Sequence, residues 1–205
     1  WVTGNTVIDA LSAILVDKRF QSLDVDIPVR NEHRLILVTA HRRESFGEGI
    51  KNICWALRRI VERYPDVEIV WPVHLNENVQ KPVYHILGGI DRVHLLRPLE
   101  YLQLLKVMQR AYIILTDSGG IQEEAPTLRK PVLVLRETTE RPEGVDAGIA
   151  RLVGTDIDHV TNEVCRLLES QEEYQKMVPS YNPYGDGKAS LRIVQILLSG
   201  SGKPG

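Results

Sequence analysis

Apolar residues along this chain follow two spacings in turn. Short unbroken runs such as Leu35-Ile36-Leu37-Val38 and Tyr112-Ile113-Ile114-Leu115 lack polar alternation, so they read as strands covered on both faces, over 35–39, 68–73, 93–96, 112–117, 131–135 and 151–153. Between them the apolar positions step by three and four. Ile50, Ile53, Cys54, Leu57, Ile60 and Val61 form one stripe of a helix over 50–63, and similar stripes place helices over 76–87, 101–110, 120–128 and 157–169. Strand and helix therefore alternate through short connections, which predicts an α/β fold: a doubly wound, mostly parallel, Rossmann-like sheet. In the common strand order of such sheets the first and fourth strands are neighbours.

The two ends depart from this pattern. Residues 1–16 carry Thr3, Asn5 and Thr6 ahead of Val7, Ile8, Leu11, Ile14 and Leu15, a short helix with capping residues at its start. A polar, extended connector with Pro28 and the run Arg30-Asn31-Glu32-His33-Arg34 leads to the first strand. After residue 170 come a short helical piece over 171–178, a Pro- and Gly-bearing stretch over 179–187 and an amphipathic helix over 189–198. We divide the chain into a linker with its helix (1–30), the sheet domain (31–170), two closing helices (171–199) and a disordered tail (200–205). Amphipathic helices at both ends need something to cover, which points to a partner beyond this sequence. Trp1 in place of an initiating Met is expected for a chain that lacks preceding residues.

Composition narrows the functional classes. Among 205 residues, 25 Lys and Arg are scattered among 27 Asp and Glu for a formal charge of -2, which argues against a nucleic-acid or polybasic membrane role. No apolar run approaches the roughly 20 residues that span a bilayer, and no signal peptide is visible. Cys54 and Cys165 lie far apart within predicted helices, as reduced core thiols of a cytoplasmic protein would. Neither CxxC nor HExxH occurs, so no metal site is expected.

The candidate chemistry collects where the first and fourth strands end. After the fourth strand, Thr116-Asp117-Ser118-Gly119-Gly120 breaks into a helix whose first turn has free backbone N–H groups and a partial positive charge. Ser118 offers a hydroxyl there, while Gly119 and Gly120 leave the backbone open to a phosphate; an ordinary turn capped by Asp117 or Ser118 is the plain alternative. The turn after the first strand, His41-Arg42-Arg43-Glu44, brings an imidazole and two guanidinium groups to the same crevice, a combination suited to a diphosphate. Only one of Glu123 and Glu124 can face that crevice, where it would accept bonds from ribose hydroxyls; the alternative is compensation of the helix dipole. Beyond the fifth strand, Arg136 or Arg141 in a charged loop could close over a phosphate or pair with acids across a cleft.

Longer stretches carry a resemblance. VTGNTVIDAL, VTAHRRESFGEGI, PVHLNENV, LTDSGGIQEEAPTLRKPVLVLRETTERPEGVDAG, RLVGTD and NPYGDGKAS, in that order, resemble the non-hydrolysing UDP-N-acetylglucosamine 2-epimerases from Val2 to about residue 198. The resemblance implies a glycosyltransferase-B-like fold of two Rossmann-like halves with the UDP-sugar between them, of which this chain is the C-terminal half. It implies that His41 and Arg43 lie near the diphosphate and the leaving UDP, that Ser118, Gly119 and Gly120 bind phosphate oxygens, that Glu124 holds the ribose and that Arg141 serves the nucleotide. The backbone around Leu104 would meet uracil, although family members often carry an aromatic residue there. No cofactor is implied.

In this family UDP is eliminated anti with loss of the C2 proton, then re-added after reprotonation on the other face, interconverting UDP-GlcNAc and UDP-ManNAc for cell-envelope polymers. The carboxylates credited with moving the proton belong to an N-terminal half absent here, so the chain is expected to be inactive alone. A homodimer of the full-length protein is the family expectation. The competing readings are half of a UDP-sugar-dependent glycosyltransferase of the same fold and a non-catalytic nucleotide-sugar-binding module.

Overall fold

The computed structural model describes residues 1–178 and 180–200. The unbroken apolar runs form six strands, β1 (Arg34–Thr39), β2 (Val67–Pro72), β3 (Val93–Leu96), β4 (Ile113–Thr116), β5 (Val132–Val134) and β6 (Ala150–Leu152). They pair in parallel throughout in the order β3-β2-β1-β4-β5-β6. The winding reverses between β1 and β4, so the crevice expected at a switch point lies at their carboxyl ends.

The strands lack polar alternation because both faces are covered. Ile36, Val38, Ile69, Trp71, Ile113, Leu115 and Leu133 point into one apolar layer, and Leu35, Leu37, Val70, Ile114, Val132 and Val134 into the other. The first layer is closed by α3 (Glu48–Arg63), α4 (Glu77–Leu87), α8 (Ile157–Glu169) and α9 (Gln171–Met177). The second takes α1 (Thr6–Val16), α2 (Lys18–Gln21), α5 (Tyr101–Arg110) and α6 (Gly119–Glu124). Two further helices, α7 (Pro142–Asp146) and α10 (Ala189–Leu198), complete the described chain.

Most predicted elements differ from these only at their ends, and the larger differences have local causes. The helix expected over 120–128 starts at Gly119 and tightens to a 3-10 turn over Ala125–Leu128, where Pro126 lacks an N–H and Arg129 leaves in the left-handed region at φ 58. Short helix α2 interrupts the connector read as extended, because Asp17 caps it through the Arg19 N–H at 2.7 Å. In the loop after β5, Pro142 opens α7 from its first turn. Asn5 precedes α1 without a side-chain cap; its N–H instead donates to the Tyr184 carbonyl at 2.7 Å.

The terminal helices cover each other in part. Helix α1 packs on α6 and α10 and buries Ile8 and Leu11, while its Asp9 accepts the N–H groups of Ala189 and Ser190 at 3.0 and 2.6 Å and so caps α10. The outer side of α10 stays open, with Leu197 and Leu198 at 75% and 82% exposure. The tail expected to be disordered lies outside the described residues from Ser201 onward.

At the opposite end of the sheet from the crevice, Glu68 of β2 is buried between two imidazoles. His33 Nδ1 lies 2.9 Å and His94 Nε2 2.5 Å from its carboxylate, which also accepts the Arg30 N–H at 3.2 Å. Burial raises this carboxyl, but the His94 and Arg30 hydrogen bonds and the charges of both imidazoles outweigh it and hold the group below its ordinary value. A carboxyl depressed by folding contributes stability above its unfolded value, about 4.3 for Glu, and loses it as pH falls through the folded value. Glu68→Gln is therefore expected to cost about 1–3 kcal/mol at neutral pH and to flatten the decline of stability below roughly pH 4.3, measured by urea unfolding. An unchanged acid limb would contradict this.

Candidate functional site

Strands β1 and β4 run side by side to their last residues, where Thr39 pairs with Thr116 and their hydroxyl oxygens are 2.6 Å apart. Beyond them the chain turns twice, and one carboxylate holds the turns together. Asp117 is fully buried, and its Oδ2 accepts the backbone N–H groups of His41 at 2.6 Å and Arg42 at 2.7 Å. The Arg42 Nε returns a bond to the Asp117 carbonyl at 3.3 Å. Asp117 thus reaches across to the other turn instead of capping α6. Ser118 occupies the cap position, yet its hydroxyl makes no capping bond.

A cavity of about 290 Å³ opens over these turns, lined by His41, His74, Tyr101, Leu104, Ser118, Gly120 and Glu124 among others. The His41 ring stacks on His74 at 5.4 Å between centroids. On the far side Glu124, only 7% exposed, accepts a bond from the Tyr101 hydroxyl at 2.8 Å. Burial pushes the Glu124 carboxyl above the usual carboxylate range; the Tyr101 bond opposes this and the Glu123 charge adds to it.

Glu123 faces the other way. It forms an ion pair with Arg141 beside a second cavity of about 630 Å³, which Trp1, Asn5, Glu140 and Tyr184 also line. The two adjacent carboxylates of α6 therefore serve separate cavities. The second is buttressed by the stretch before α10: Tyr184 donates to the Arg141 carbonyl at 3.2 Å and accepts the Gly144 N–H at 3.0 Å, while Asn182 donates to the Glu123 carbonyl at 3.0 Å.

The structure brings His41, Ser118, Gly120, Glu124 and Leu104 to one cavity. Gly119 lies behind Gly120, under the Arg141 guanidinium, whose carbon is 3.7 Å from where a Gly119 Cβ would be. Arg43 is exposed in a 3-10 turn over Arg43–Ser45 and does not line the cavity; the neighbouring Arg42 is the one that contacts the glycine turn. Arg136 pairs with Glu140 and Glu44. Sequence reasoning assigned no role to His74 or Tyr101, and to Asp117 only that of a possible helix cap. The apolar run predicts that Asp117 ends a strand, but only the structure shows which way its side chain turns. Among the described residues no group of three His, Cys, Asp or Glu is placed to hold a metal ion.

Neither Gly119 nor Gly120 has a positive φ, and a Cβ on either would meet protein atoms no closer than 3.7 Å. The fold therefore has no steric need for glycine at two helical positions where alanine favours the helix. An incoming ligand that must approach the backbone closely would supply that need.

Comparison with known proteins places the chain in a family. The family profile described as UDP-N-acetylglucosamine 2-epimerase matches residues 1–198. The chain belongs to that family. It is 53% identical to the UDP-N-acetylglucosamine 2-epimerase of Escherichia coli K12 over 96% of its own length and 54% of the relative's. The Neisseria meningitidis UDP-GlcNAc 2-epimerase, solved bound to UDP-GlcNAc, superposes with a TM-score of 0.90 at 48% identity, covering 96% of this chain and 54% of that one. The S. aureus MnaA co-structure with UDP gives 0.88 at 43% identity, covering 96% of this chain and 52% of that one. The chain thus spans about half the length of the relatives it matches and corresponds to the C-terminal half of a glycosyltransferase-B-like epimerase.

Since glycine at 120 has no packing reason, Gly120→Ala is expected to stabilise the fold by about 0.5–1 kcal/mol in urea unfolding. Destabilisation would show that the turn itself requires glycine.

Proposed function

We propose that this chain is the nucleotide-binding half of a UDP-N-acetylglucosamine 2-epimerase that interconverts UDP-GlcNAc and UDP-ManNAc, and that it is inactive alone. The observation that carries the reading is the bonding of the His41 turn to the glycine turn through Asp117, with Glu124 across the same cavity. One cavity then offers donors for a diphosphate and an acceptor for a ribose.

In this reading Ser118 and the N–H groups at Gly119 and Gly120 hold phosphate oxygens. The imidazole of His41 stands beside the diphosphate where UDP leaves. Arg43 reaches it from the exposed rim and Arg141 from the other side of α6. Glu124 exchanges its Tyr101 bond for the ribose hydroxyls, and the backbone around Leu104 borders the uracil. The elimination removes the C2 proton to a base while the C1–O bond breaks and its electron pair leaves with UDP; in the return step a proton is delivered to the opposite face of C2 and a UDP oxygen re-forms the bond to C1. A base for C2–H must come from above the sugar, from a second half. Without that half the diphosphate stays hydrated on an open wall and each bond to it is weakened.

The exposed row Leu191, Val194, Leu197 and Leu198 on α10 is surface that the second half would cover, with segments 1–30 and 171–199 joining the two. Homodimer contacts would lie on that half. No helix among the described residues is long and apolar enough to cross a membrane, and two buried free thiols suit a reducing cytoplasm.

Calorimetry should detect UDP binding to the isolated chain, while UDP-GlcNAc should yield no UDP-ManNAc; absence of binding, or turnover by the chain alone, would overturn the proposal. Ser118→Asp places a negative charge against the phosphate and should weaken UDP at least 30-fold, about 2 kcal/mol. Glu124→Ala should weaken UDP roughly tenfold and pyrophosphate less than about twofold, since only UDP carries a ribose; equal losses would remove the ribose assignment. Because the Glu124 carboxyl is raised, wild-type affinity for UDP should fall with decreasing pH above the ordinary Glu value of about 4.3, and Glu124→Gln should lack that component of the titration.

A further inference from the structure

We propose that Asp117 is the positioning residue for His41: it fixes the imidazole as the tautomer protonated at Nδ1, so that Nε2 is the nitrogen presented to the cavity. The inference deepens the nucleotide reading and rests on it for its functional consequence, although the geometry stands by itself. Asp117 is fully buried, and its two oxygens have different tasks. Oδ2 is occupied by the N–H groups of His41 and Arg42. Oδ1 has no hydrogen-bond donor of its own, and His41 Nδ1 lies 3.1 Å away.

A buried carboxylate oxygen without a donor is costly, and one facing an imidazole lone pair is worse. The ring nitrogen nearest Oδ1 must therefore carry hydrogen. The other groups around the ring do not compete for that nitrogen's proton: His74 stacks on its face, Arg42 has donors only, and Glu124 stands across the cavity. The remaining nitrogen, Nε2, accepts when the ring is neutral and donates when it is an imidazolium paired with Asp117. Toward a diphosphate the second state is the useful one, because a charged donor binds a phosphate oxygen about twice as strongly as a neutral one.

Asp117→Asn tests this directly. Its single carbonyl oxygen can keep the two backbone donors, which leaves the amide NH₂ facing Nδ1 and forces that nitrogen to become the acceptor. Nitrogen-15 NMR of the ligand-free chain, with the His41 signals assigned by their loss in His41→Gln, should show Nδ1 protonated in the wild type and Nε2 protonated in Asp117→Asn. UDP affinity of Asp117→Asn should fall about tenfold, because only a ring paired with the carboxylate can donate from Nε2 to a phosphate oxygen while keeping hydrogen on Nδ1. An unprotonated Nδ1 in the neutral wild-type ring overturns the proposal whether or not the variant folds, as does an Asp117→Asn ring with the wild-type tautomer. This readout needs no ligand, so it is separate from the nucleotide assignment: absence of UDP binding would remove that assignment and leave the tautomer result standing.

Discussion

The site depends on a hydrogen-bonded cross-link between two turns that are 76 residues apart in sequence, the Asp117 carboxylate on the His41 N–H. Parallel pairing of β1 with β4 brings the turns together, but parallel strands alone leave their exits free to splay. A buried acceptor with two backbone donors removes that freedom, because breaking either bond would strand a polar group away from water. What depends on this joint is a wall that presents the His41 imidazole, Ser118 and the bare backbone of Gly120 in one fixed relation. The joint also explains why Asp117 makes no helix cap: its carboxylate is turned toward the other turn, where Oδ2 accepts both N–H groups.

Much of the architecture was legible because it follows from rules that hold over short stretches. The apolar runs predicted six strands in a mostly parallel sheet, and the usual strand order correctly made β1 and β4 neighbours. Helix stripes such as Ile50, Ile53, Leu57 and Ile60 located α3, whose observed start differs by a few residues. The short helices α2 and α7 were harder to see, since neither has enough residues for a stripe and each depends on a single local device, Asp17 or Pro142.

The site was legible only as a set of neighbouring loops. That Glu123 and Glu124 would diverge follows from helix geometry, yet nothing local says which cavity each meets; Arg141 and Tyr101, 18 and 23 residues away, decide it. In the same way HRRE does not reveal which guanidinium turns inward. The structure sets Arg42 against the Asp117 carbonyl and leaves Arg43 on the rim, a result of backbone direction at the start of the 3-10 turn. The terminal helices were expected to want a partner surface, and they found part of it in each other through Asp9 and the start of α10.

The placement of the paired carboxylates on α6 has a mechanical consequence. Successive side chains on a helix are about 100° apart, so Tyr101 on one flank and Arg141 on the other act as two stops that set the azimuth of this short rod. One short helix is thereby tied to the linings of both cavities, to the smaller through Glu124 and to the larger through Glu123.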